Sequence, residues 1–127
     1  MKTLEQQYAA AVYQKIQSCT EWGDKEKKRY GVMAQKLPVL IRSAGLAQAL
    51  AFVDAKASGS NEKPYHQLLD DLASVLGFDA RKDLLNRSRE AHLSDYAHLS
   101  RRAILALTWF KRFSQSILKV DLTDSED

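Results

Sequence analysis

From Leu4 to Ile117 the apolar residues recur at intervals of three and four and nowhere alternate over the length of a strand. A helix turning through about 100° per residue gathers such positions onto one face, so this period restricts the chain to helices stacked by their apolar sides. The fold class is therefore all-α: a single compact bundle of about six helices with a long C-terminal helix. At 127 residues, 45% of them hydrophobic, such a bundle withdraws roughly two thirds of its unfolded surface from water. One helical domain is expected over residues 1–120, followed by an acidic segment at 121–127 that is expected to be disordered.

Local signals divide the helices. Thr3 with Gln6 three residues on forms a capping box, and Leu4, Tyr8, Val12 and Ile16 make the first stripe. Trp22-Gly23-Asp24 closes that helix and caps a second one from Lys25, whose inner face carries Tyr30, Met33, Ala34, Leu37 and Ile41. Pro38 predicts a kink there and Gly45 the helix end. Leu46 to Lys56 is apolar nearly all round, which predicts a central helix with Phe52 opposite Leu46. Pro64 opens a fourth helix with Tyr65, Leu68, Leu69, Leu72 and Leu76 inside, and Gly77 stops it. Asp79 caps a short fifth helix, and Ser94 or Asp95 opens the last one, through about Val120, with Leu99, Ala103, Leu107, Phe110, Phe113 and Ile117 on one side.

The net charge of +3 hides an asymmetry, because Asp121, Asp124, Glu126 and Asp127 crowd the last seven residues; without them residues 1–120 carry +7. A basic body draws polyanionic partners by long-range attraction. Arg101, Thr108, Arg112, Gln115 and Lys119 fall in one stripe of the last helix, and Lys25, Arg29 and Lys36 share a face of the second. Such rows can neutralise successive phosphates without reading bases, or they can simply be a solvated surface. Trp109 suits either stacking on a base or ordinary packing.

Other chemistry is poorly supplied. The one cysteine, Cys19, has no disulfide partner within the chain, and Met1-Lys2-Thr3-Leu4-Glu5 lacks a signal-type apolar run, which reads as a cytoplasmic protein with no membrane segment. His66 and Asp70 are one helical turn apart, but nothing completes a metal site around them. His92 and His98 are six apart and diverge. No nucleophile motif or phosphate loop occurs, so the chain is expected to be no enzyme and to take neither metal nor cofactor.

Two stretches are more particular. Arg29-Tyr30, Ala34, Lys36-Leu37-Pro38, Leu40-Ile41 and Gly45-Leu46-Ala47-Gln48-Ala49-Leu50-Ala51-Phe52 are followed by Tyr96, Ala103, Leu107 and Trp109-Phe110-Lys111-Arg112-Phe113. In order and spacing, over about residues 24 to 114, this pattern resembles the small helical subunit of the type III-B CRISPR effector, the Cmr complex that uses a guide RNA to bind and destroy target RNA. The resemblance implies a non-catalytic helical bundle that stacks on copies of itself in a short filament along the effector's backbone. Its partners would be the backbone and large subunits, the guide RNA and the target RNA, in antiviral defence. Carried over by position, Lys25, Lys28, Arg29, Lys36, Arg42, Arg102, Lys111 and Arg112 are the RNA-binding candidates, with Lys36, Arg42, Lys111 and Arg112 foremost. The alternative is a cytosolic protein-binding scaffold without RNA contact, its interface formed by Trp109, Phe110 and the Gly45–Phe52 hairpin. The acidic segment is expected to hold free chains back from indiscriminate RNA binding.

Overall fold

The computed structural model describes residues 1–124 and 126. Helix α1 (Leu4–Gln17) starts with the reciprocal cap read from its sequence: the Gln6 amide donates to Thr3 Oγ1 at 3.1 Å and the Thr3 amide donates to Gln6 Oε1 at 2.9 Å. Tyr8, Val12 and Ile16 are buried, whereas Leu4, on the first turn, is left exposed. Helix α2 (Asp24–Ala44) begins one residue before Lys25, and its first turn carries Asp24 and Glu26, whose charge suits a helix N-terminus. It runs on through Pro38, which is buried with Tyr30, Met33, Ala34, Leu37 and Ile41 against the core.

Gly45, at φ 91°, ends α2 and starts α3 (Leu46–Lys56). Here a side chain would be strained, and a Cβ would also come within 3.2 Å of the Tyr96 hydroxyl. That hydroxyl accepts a hydrogen bond from the Ala47 amide at 3.1 Å and so serves as a cap for a helix with no side-chain cap of its own. Helix α3 is less central than its composition predicts. Leu46, Ala49, Leu50 and Val53 are buried, but Ala51, Phe52 and Ala55 face outward, because only one side meets α2, α4 and α5.

A single 3-10 turn (Gly59–Asn61) leads to α4 (Glu62–Val75), with Pro64 in its first turn and Tyr65, Leu68, Leu69, Leu72 and Leu76 all buried. The start of α5 (Arg81–Glu90) corrects the sequence reading: Ala80, not Asp79, holds the cap position. Asp70 on α4 replaces the expected cap, accepting from the Arg81 amide at 3.0 Å and from Arg81 Nη1 at 2.8 Å.

Helix α6 (Leu93–Ser116) packs most extensively against α2 and α1 and forms the spine of the bundle. It stops short of the expected Val120. Lys119 takes a positive φ of 60°, which turns the chain so that its neighbours Leu118 and Val120 are both buried. Val120 lies on α2 at Gly31, where any Cβ would sit 2.8 Å from the valine's own Cβ. Six helices and no strand occur among the described residues, and no helix among them is long and apolar enough to cross a membrane.

Candidate functional site

The eight basic residues carried over as RNA-binding candidates fall into separate environments. Helix α2 contributes Gln35, Pro38, Val39 and Arg42, and α6 contributes Thr108, Lys111, Arg112 and Gln115, to one groove of about 370 Å³. Each set follows an i, i+3, i+4, i+7 spacing, so two helical stripes face each other across the groove. Gln35, 2% exposed, forms part of its floor. Its Nε2 donates to the Val120 carbonyl at 3.0 Å, and its Oε1 accepts from Gln115 Nε2 at 3.2 Å. The walls carry Arg42, Lys111 and Arg112, all exposed, and none of the three forms an ion pair among the described residues. Three uncompensated cations above a polar amide floor can hold an anionic strand by its phosphates. The lining includes no carboxylate, imidazole or thiol.

Lys28 stands elsewhere, in a surface depression of about 360 Å³ between the start of α2 and the chain leaving α6, together with Asp24, Lys27 and Lys119. Lys25 is exposed on the first turn of α2. Lys119 does not continue the α6 stripe, since the helix has ended before it.

Arg29 and Lys36 turn instead to the acidic segment. Arg29 Nε donates to the Glu126 carbonyl at 2.8 Å, Lys36 Nζ reaches Glu126 Oε1 at 2.5 Å, and the Tyr65 hydroxyl donates to Glu126 Oε2 at 2.6 Å. Lys56 Nζ adds a longer ion pair to Oε2 at 3.6 Å. Burial alone would raise the Glu126 pKa, but the hydrogen bonds from Lys36 and Tyr65 and the charges of Lys56 and Lys36 outweigh it, and the carboxyl titrates below its usual range. Nothing in the sequence singled out Lys56 or Tyr65, the latter reading as an ordinary core residue.

Arg102 faces inward. Its Nε donates to the Tyr8 hydroxyl at 2.9 Å and its Nη2 to the Leu76 carbonyl at 2.7 Å, tying α6 to α1 and to the end of α4. Trp109 is half-buried against Phe113, with ring centroids 5.5 Å apart. Phe110, expected at a protein-binding edge, is fully buried because it lies on the inner face of α6, so it can offer no contact surface. His66 lies 3.3 Å from Asp54 and 3.5 Å from Glu62, while Asp70 is spent on Arg81.

Comparison with known proteins gives concordant matches. Residues 4–117 match the family described as CRISPR-associated protein (Cas_Cmr5). A CRISPR system Cmr subunit Cmr5 from Thermus thermophilus is 41% identical over 120 residues, which cover 94% of this chain and 99% of that protein. The crystal structure of a CRISPR-associated Cmr5 family protein from Thermus thermophilus superposes with a TM-score of 0.82 at 41% identity, covering 93% of this chain and 99% of that one.

Proposed function

The chain belongs to the CRISPR-associated Cmr5 family, and from that premise we propose that it is a cytoplasmic, non-catalytic structural subunit of a type III-B (Cmr) complex that stacks with its own copies along the effector backbone and lays the α2/α6 groove against target RNA. The backbone and large subunits are its protein partners, and the RNA is met as the target strand or its duplex with the guide. One observation carries the RNA contact: Arg42, Lys111 and Arg112, three residues from two helices, converge on one groove with no acid among the described residues to neutralise them. Cations held in this way release counterions when they meet phosphates, and they favour RNA of any sequence.

Non-catalysis is supported by the chemistry of the groove, whose arginine, lysine, glutamine and threonine side chains bind anions but include no carboxylate or imidazole to serve as a general base. A single chain makes few phosphate contacts, so useful affinity comes from several copies engaging one strand together. Charge reversal tests the reading. In the assembled complex, Lys111→Glu with Arg112→Glu lowers target-RNA affinity and reduces the slope of log affinity against log salt by about 1.4 per copy, at about 0.7 for each single-strand phosphate that is no longer neutralised. Unchanged affinity and slope would remove the RNA contact and leave a purely protein-binding scaffold within the complex.

A further inference from the structure

The segment after α6 crosses α2, with Val120 seated on Gly31 and the Glu126 side chain reaching α3 and α4. The Glu126 carboxylate, 11% exposed, takes two hydrogen bonds and a second ammonium within 3.6 Å, and Arg29 holds the backbone carbonyl beside it. Three groups from three helices on one carboxylate, with the Arg29 guanidinium on the adjoining carbonyl, amount to an anion seat. The seat is open from outside: the side chains of Lys36 and Lys56 are 43% and 35% exposed, so a group larger than a carboxylate can approach both ammonium groups. The occupant lies beyond the matched family region, which ends at residue 117.

We propose that Arg29, Lys36, Lys56 and Tyr65 form a second RNA-phosphate seat, which the chain's own Glu126 fills until an RNA strand displaces it. This rests on the reading of the α2/α6 groove as an RNA contact. Lys36 and Arg42 are both on α2, about 9 Å apart along the axis and about 120° apart around it. A strand crossing the outer side of α2 therefore meets the groove on one flank and the seat on the other. A phosphodiester oxygen accepts from lysine, arginine and tyrosine donors as a carboxylate oxygen does. A tethered Glu126 competes at high effective concentration against a lone phosphate, but it yields to a strand already held at the groove. Free chains are thereby kept from scattered RNA.

The test is anisotropy of a labelled single-stranded RNA oligonucleotide titrated with the full chain and its point variants. Glu126→Gln tightens binding by about fivefold, the factor expected if the seat is closed for roughly four fifths of the time. Asp121→Asn makes the same charge change outside the seat and tightens binding by less than about twofold, since exposed charges are screened. Adding Lys36→Ala and Lys56→Ala to Glu126→Gln abolishes the gain, with the helical circular dichroism unchanged. The proposal is overturned if Glu126→Gln binds no tighter than Asp121→Asn, or if the gain survives loss of both lysines. Lys111→Glu with Arg112→Glu in the same assay separates the two readings: weakened binding in that pair, alongside an ineffective Glu126→Gln, retains the groove and discards the seat.

Discussion

Tyr30 and Asp71 meet inside the bundle, where neither has water to turn to. The Tyr30 hydroxyl, on a fully buried side chain, donates to Asp71 Oδ2 at 2.6 Å, and Gln67 Nε2 donates to the other oxygen at 2.8 Å. Burial raises the Asp71 pKa above its ordinary 3.8, and the two hydrogen bonds only partly oppose it. The folded chain therefore binds this proton more tightly than the unfolded one. Its contribution to stability is full below pH 3.8 and is lost as pH rises through the higher folded value. Asp71→Asn, which keeps an acceptor for Tyr30, should gain on the wild type across that window in urea unfolding followed at stepped pH, and the gap should stop growing above it. Asp71→Ala strands the phenol and should cost about 2–3 kcal/mol below pH 3.8, and less once the wild-type carboxyl ionises. The sequence marks Tyr30 as core but gives no sign of its partner, because the two are 41 positions apart and only the packing of α2 on α4 brings them together.

Among the elements, α6 shows how one helix divides its arginines between structure and surface. Arg102 joins α6 to α1 and α4 by two hydrogen bonds, whereas Arg112 stands exposed in the groove. Arg102→Ala leaves the Tyr8 hydroxyl and the Leu76 carbonyl without their donor and should destabilise the fold by about 1.5–3 kcal/mol, the range for hydrogen bonds to a charged group. Arg112→Ala should stay within about 0.5 kcal/mol, as surface changes do. Thermal unfolding of the two variants side by side checks this; equal losses would mean that Arg102 holds nothing together. Helical periodicity put Thr108, Arg112 and Gln115 on one stripe, as any helix must, and these three line the groove; it left out Lys111, which also lines it, and took in Lys119, which lies past the helix end. It could not tell that Arg102 points inward, because a long side chain at the edge of an apolar face can turn either way.

For the molecule as a whole, Cys19 reports on the integrity of the fold. It is 1% exposed, and burial, followed by the nearby charge of Asp71, pushes its thiol up to about 12. Alkylation at mildly alkaline pH should accordingly be slow in the native chain and rapid in denaturant, and the native rate should follow the population of opened molecules. Rapid labelling of the folded chain would show that the α1–α2 turn opens by itself. At this scale the sequence by itself determined the helical class, the number of helices and most of their inner faces, because these follow from spacing along one chain: Tyr8, Val12 and Ile16 are neighbours in any helix. It also carried the pattern that marks the family. The tertiary structure alone decided which cations form no ion pair among the described residues, which are spent on Tyr8, Leu76 or Glu126, and where the chain turns after Ser116. Those outcomes depend on distances between residues remote in sequence, and charge and period along a helix do not encode which neighbour a side chain will meet.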